Sequence, residues 1–193
     1  DHTDSVRSLT SLDVVPSQAA WENMDGQLAF AWFHWLLARQ PAPFPETLVG
    51  NSAIFFLDFL LERWNATEGA ITEEAYAEYV RAFNNPDNIR GWIKDYRAIE
   101  LDLIHDEQDR ERKLTCPMLV LWGADRAKRP GWQTGDGLDD LTPWRARAVD
   151  VRGKGFDCGH FIPEERPGEL VAELLPFLAD SEAQWQKNDS GLV

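Results

Sequence analysis

Apolar residues change their spacing twice along this chain, and each change marks a change of architecture. Val6, Leu9, Leu12, Val14 and Val15 lie close enough together for a strand over Val6–Val15, closed by Pro16-Ser17, with Asp13 near its end. From Gln18 to Gln40 the spacing becomes helical (Trp21, Met24, Leu28, Trp32, Trp35, Leu36), and Pro41, Pro43 and Pro45 stop that helix. A second helix runs from a cap at Asn51 or Ser52 to Trp64. A third, Glu73–Phe83, follows the cap signal Thr72-Glu73-Glu74 and is broken by Asn85-Pro86. A fourth spans about Asp87–Leu103, and the charged stretch His105–Lys113 reads as a solvated linker.

The second change comes at Cys116. The run to Trp122 is of the kind found in a strand buried on both faces, and Gly123 opens a loop. Thr142-Pro143 caps a short helix, and Val149–Val151 forms another strand. The loop carrying His160 comes next, then an amphipathic helix over Glu164–Leu178 whose end Pro176 bends or shortens. The tail from Asp180 is expected to fray. The order of strand, helical block, strand, helix, strand, helix predicts an α/β fold with a parallel sheet and an all-helical insert after its first strand. The parts are 1–16 (sheet), 17–106 (helical cap) and 107–193 (sheet and flanking helices), with a pocket expected between insert and sheet.

Composition narrows the function. With 193 residues and 44% hydrophobic residues the chain can bury a core, and no apolar run reaches the ~18 residues of a spanning helix. The net charge of −14 argues against nucleic acid and anionic membranes as partners, which leaves small molecules. Nine Trp and ten Phe suit a thick packing layer or an aromatic pocket lining. The two cysteines, Cys116 and Cys158, have no zinc-like spacing, so no metal or cofactor is implied, and their scarcity favours the reducing cytoplasm. No signal peptide pattern opens the chain.

His160 follows Gly159 on the loop after the last strand, where reactive groups stand in open α/β sheets, which makes it a candidate base. With it stand Leu12-Asp13-Val14-Val15-Pro16, Phe33-His34-Trp35, Gln40-Pro41-Ala42-Pro43, Asp95-Tyr96-Arg97-Ala98, Cys116-Pro117-Met118-Leu119-Val120-Leu121-Trp122-Gly123 and Cys158-Gly159-His160-Phe161-Ile162-Pro163-Glu164-Glu165. In combination these motifs resemble the haloacetate (fluoroacetate) dehalogenases, a branch of the α/β-hydrolase superfamily, over nearly the whole chain from Asp1 to Leu178.

The resemblance implies a two-step substitution through an aspartyl ester, in which a nucleophilic carboxylate displaces halide and a His-activated water hydrolyses the ester. His160 matches the histidine, and Asp13 matches the acid that orients it. His34, Trp35 and Tyr96 match the halide-binding donors. Substrate, second reactant and product would be a short haloacid, water and halide, and a homodimer is the usual assembly.

Asp125, on the loop after Gly123, is the runner-up for the acid. The nucleophile is absent: no G-x-D-x-G-like elbow occurs in these residues, nor do the arginines that grip the substrate carboxylate stand where the branch has them. The chain is therefore expected to be the C-terminal two-thirds of an enzyme, inactive alone. Alternatives stay open. His34 and Trp35 also fit a packing stripe with Trp21 and Trp32, and Tyr96 a core tyrosine. The whole could instead be an epoxide hydrolase, for which Tyr76 and Tyr79 are the phenols at hand, or a nonenzymatic partner-binding domain.

Overall fold

A computed structural model describes residues 5–125 and 141–190, with side chains as far as 187. Three parallel strands, β1 (Leu9–Leu12), β2 (Met118–Gly123) and β3 (Val151–Phe156), form one sheet in the order β1-β2-β3. Leu9 pairs with Met118 and Met118 with Val151, so the strands run in register toward the end where Asp13, Gly123 and the His160 loop meet.

Strand β2 is central because it can be buried on both faces. Leu119 and Leu121 join Phe156, Cys158, Ile162, Leu170 and Phe177 on one side of the sheet. Met118 and Val120 join Leu141 and Ala148 on the other. This two-sided burial is what a near-continuous apolar run specifies.

Between β1 and β2 lie seven helices: α1 (Ser17–Glu22), α2 (Gly26–Ala31), α3 (Phe33–Ala38), α4 (Phe44–Gly50), α5 (Ala53–Trp64), α6 (Glu73–Phe83) and α7 (Pro86–Gln108). Their packing has its own centre in Ala38, Val49, Ile89 and Ile93. Helix α6 starts as expected, with the Thr72 hydroxyl accepting from the Ala75 N–H at 3.2 Å. After β2 come α8 (Thr142–Arg145), then β3, α9 (Ile162–Glu165) and α10 (Pro167–Ser190).

Several expected elements are corrected. The first strand is only four residues long, because Asp13 takes φ 50°, which ends extended backbone and leaves Val14 exposed. The single helix over Gln18–Gln40 is three short ones. Asp25 caps a new start by accepting from the Leu28 N–H at 2.8 Å, and Trp32 leaves helical geometry between α2 and α3. The prolines that stop α3 also begin α4, since Pro is tolerated in a first turn. Ser52 stands at the start of α5 without a side-chain capping bond.

Helix α7 extends through Gln108 into the stretch expected as linker, whose arginines then pair along the chain, Arg110 with Glu107 and Arg112 with Asp109. Thr142 is the first residue of α8, not its cap.

Strand β3 begins where the expected one ends. Its sequence, VRGKGF, has no apolar run; Arg152 and Lys154 reach Asp180 and Glu173 on α10, while Gly153 lies so close to β2 that a Cβ would fall 1.8 Å from the Val120 carbonyl oxygen. Last, the helix expected over Glu164–Leu178 is split into α9 and α10, and the tail does not fray at Asp180. Buried Ser181 bonds the Phe177 carbonyl at 2.8 Å and Arg7 pairs with Glu182 at 2.6 Å, so α10 continues past the exposed Pro176.

Candidate active site

At the C-terminal edge of the sheet, Asp13 leaves β1 and turns its carboxylate inward. Its backbone N–H still donates to the Leu121 carbonyl at 2.8 Å, so the residue is fixed to β2, and its positive φ is one that Asp adopts more readily than most residues. One carboxylate oxygen accepts from the Gly123 N–H at 2.9 Å. The other lies 2.6 Å from Nδ1 of His160. The Asp13 side chain is buried, at 3% exposure, whereas that of His160 keeps 38%. A carboxylate on Nδ1 fixes that nitrogen as the N–H and leaves Nε2 of the neutral ring with its lone pair.

The loop that carries His160 fits closely against β2 and the helical block. A Cβ on Gly123 would fall 1.9 Å from the Gly159 carbonyl oxygen, and one on Gly159 would fall 2.1 Å from that of Trp64. Glycine at both positions is what lets the two loops approach. The His160 N–H donates to the Trp64 carbonyl at 2.9 Å, which binds the loop to the end of α5.

From His160 a chain of ring contacts crosses into the helical block. The Trp64 indole lies 5.4 Å from the His160 ring and 4.8 Å from that of His34, both edge to face. His34 in turn lies 5.4 Å from Tyr96, and Trp35 lies 6.0 Å from the same phenol. Adjacent residues of a helix point about 100° apart. His34 and Trp35 nevertheless share a neighbour because α3 packs against α7, which carries Tyr96.

His34 is buried, and among the described residues its Nδ1 has no hydrogen-bond partner; buried Nε of Arg63 has none either. Burial foremost, with the neighbouring His160 and Arg63 adding to it, pushes the His34 pKa down to about 3, so at neutral pH it is an uncharged imidazole with one N–H to give. Burial, helped by Asp95, raises the Tyr96 phenol to about 12 and keeps its proton in place.

The structure thus brings Asp13 to His160, and gathers His34, Trp35 and Tyr96 into one cluster joined to His160 through Trp64. Asp125 lies on the loop after β2, where its N–H donates to the Cys158 carbonyl at 3.1 Å; the carboxylate that meets His160 is that of Asp13. Arg126, Lys128, Arg129 and the rest of the loop to Asp140 lie outside the described residues. Cys158 packs in the core, its thiol raised to about 12 by burial and by the charge of Glu165. The phenol of Tyr76 donates to Asp58 at 2.7 Å and that of Tyr79 to Glu164. Sequence reasoning missed Trp64 and Glu165. Trp64 reads as the last apolar residue of a helix and Glu165 as an acidic residue of a first turn, and neither pattern signals a contact made across the fold.

Among the described residues, no group of three His, Cys, Asp or Glu side chains could hold a metal ion, and no single helix is long and apolar enough to cross a membrane. A cavity lined by Glu46, Phe83, Ile89 and Arg90 shares no residue with the aromatic cluster.

A parallel sheet with an aspartate after one strand, a histidine on the loop after a later one and a helical block laid over both is the arrangement of an α/β-hydrolase fold. The comparisons agree. No family model matches the chain. It is 32% identical over 185 residues to a fluoroacetate dehalogenase from Burkholderia sp, covering 94% of this chain and 58% of that protein. It is 27% identical to a soluble epoxide hydrolase from Corynebacterium sp. (strain C12), covering 93% of this chain and 60% of that one. Among solved structures, a protein from Nostoc sp PCC 7120 described as an α/β hydrolase superposes with a TM-score of 0.84 at 39% identity, over 92% of this chain and 60% of that chain. The chain is a homologue of fluoroacetate dehalogenase with the α/β-hydrolase fold, and it spans about 60% of the length of the curated relatives it matches.

Proposed function

We propose that the protein is a hydrolase that cleaves the carbon–halogen bond of short haloacids through an aspartyl-ester intermediate. The observation that carries the reading is the bond between His160 and Asp13 beside a cluster of donors, buried His34 with half-buried Trp35 and Tyr96. In the first step a carboxylate attacks the carbon bearing the halogen and the C–X pair leaves with halide. No residue of this chain is assigned that role, and the reading takes the carboxylate from outside these 193 residues.

In the second step Nε2 of His160 takes a proton from water. The hydroxide equivalent adds to the ester carbonyl, the acyl–oxygen bond breaks, the alkoxide takes up a proton and leaves as the hydroxy acid, and His160 releases the remaining proton to solvent as the carboxylate is regenerated. Asp13 holds the ring in the useful tautomer and stabilises the imidazolium that forms. Halide leaves into N–H and O–H groups of His34, Trp35 and Tyr96, aimed donors that replace its water. Nδ1 of His34 and Nε of Arg63, both without a hydrogen-bond partner among the described residues, suit such a site.

An epoxide hydrolase would use the same acid and base. Its phenols would be Tyr76 and Tyr79, and both are turned to carboxylates, Asp58 and Glu164. The halide reading is therefore preferred. A cytoplasmic location accords with two free thiols, Cys116 and Cys158.

The test is halide release from fluoroacetate and chloroacetate by the full-length protein. His34→Ala combined with Tyr96→Phe is expected to abolish it; undiminished release by that variant would remove the halide site. His160→Asn is expected to accumulate a covalent ester seen by intact mass, and its failure to do so would remove His160 as the hydrolytic base.

A further inference from the structure

We propose that Glu165 is a positioning residue for His160, acting by fixing the histidine loop and the Trp64 turn to one buried carboxylate. The role of His160 rests on the reading above; the geometry does not. Glu165 is 5% exposed, and its two oxygens accept four hydrogen bonds from two distant segments. Oε2 takes the Gly159 N–H at 2.9 Å, the Ala66 N–H at 2.9 Å and the Thr67 hydroxyl at 3.0 Å. Oε1 takes the Phe161 N–H at 3.1 Å.

The backbone on either side of His160 is thus held by one side chain. The remaining N–H, that of His160 itself, goes to the Trp64 carbonyl at 2.9 Å, and Ala66 and Thr67 lie two and three residues after Trp64. Three successive amides of the histidine loop, the Trp64 carbonyl, and Ala66 and Thr67 form one closed set of bonds. Thr67 completes it by accepting from Nη1 of Arg166 at 2.9 Å while donating to Glu165.

The consequence falls on the two rings. Asp13 fixes one nitrogen of the imidazole but not the direction of the loop that carries it. With a 2.6 Å contact at Nδ1, a loop shift of about an ångström breaks the alignment, and misplacement of that size is enough to cost ~100-fold in rate. Trp64, which separates His160 from His34, is anchored by the same carboxylate, so the base and the donor cluster keep a common frame. A carboxylate is required because all four partners are donors. A Gln at this position would turn N–H groups toward N–H groups and leave buried donors without acceptors.

The experiment compares the protein with its Glu165→Gln and Thr67→Val variants by nitrogen-15 NMR of the His160 imidazole, in a pH range where the ring is neutral, and by steady-state halide release. The expected result is a single Nδ1–H tautomer in the parent and a tautomer mixture in Glu165→Gln, with kcat lower by ~10–100-fold and KM nearly unchanged. Thr67→Val removes one of the four donors and is expected to give the same changes on a smaller scale, which keeps the test open should Glu165→Gln fail to fold. Thr72→Ala, remote from the site, serves as the stability control and should leave the tautomer as it is. A retained single tautomer and unchanged kcat in Thr67→Val, or in a folded Glu165→Gln, would overturn the proposal and leave Glu165 as a purely structural residue. If the full-length parent releases no halide, the functional reading fails while the NMR comparison still decides the role of Glu165.

Discussion

Asp13 and His160 stand 147 positions apart in the chain, and their side chains meet at 2.6 Å between Oδ2 and Nδ1. Neither neighbourhood brings this about by itself: Asp13 is set by its place at the end of β1, His160 by a loop clamped to β2 and α5. Because the second carboxylate oxygen is held by the Gly123 N–H, the carboxylate cannot swing away without breaking a buried bond.

Replacing Asp13 by Asn keeps the size and tolerates the left-handed backbone, yet offers an amide that favours the other imidazole tautomer. Turnover is expected to fall by ~10⁴ in a protein that still folds, measured as kcat alongside a denaturation curve. A loss of less than tenfold would show that the contact does not serve the base.

Gly123→Ala is expected to be among the worst single substitutions in the chain. The new Cβ would lie 1.9 Å from one backbone oxygen and 2.8 Å from another, so the loops must part and the Gly123–Asp13 bond with them. Destabilisation of at least ~3 kcal/mol in denaturant is expected, or failure to accumulate folded protein. Gly91→Ala provides the contrast. It lies inside α7 with nothing within 4 Å of the new atom, and it should stabilise by about 0.5–1 kcal/mol.

The buried His34 makes stability depend on pH. Its folded-state pKa is lowered from 6.5 to about 3, so between those values the unfolded chain binds the proton and the folded protein does not. The contribution is fully present above pH 6.5 and is lost as pH falls toward 3, with a slope of up to ~1.4 kcal/mol per pH unit. His34→Gln should give a shallower fall across that window, whatever its absolute stability. Carboxylates lowered by partners, such as Glu46 with Arg97, also lose stability in acid, but equally in both proteins. Parallel curves would mean that His34 takes up its proton without strain.

Trp64 touches both histidines, and its removal should be felt at both. Trp64→Ala is expected to destabilise by ~3 kcal/mol and Trp64→Phe by clearly less, since the smaller ring keeps one edge-to-face neighbour. Equal effects of the two would show that the ring contacts contribute little, and denaturant unfolding measures both.

Sequence patterns carried far where a single period governs. The two-sided burial of β2 follows from the run Met118–Trp122, and α6 from Thr72 and its two glutamates. They failed where two local rules compete. Between Gln18 and Gln40 a continuous helical period conflicts with a capping signal at Asp25-Gly26, and the cap won. They failed again at β3, whose alternating glycines and cations form a strand only because β2 supplies the partner and α10 the counter-charges.

What the chain determined by itself is therefore local: which stretches are helical, which strand is buried on both faces, and, by motif, which histidine, aspartate and aromatic residues to watch. Their meeting was decided by tertiary structure alone. Bonds such as those from Glu165 to Ala66, and from Asp13 to Gly123 and His160, join segments about a hundred residues apart. Such pairings leave no periodic trace in sequence, because only the closed fold brings the groups within reach and removes the water that would otherwise satisfy them.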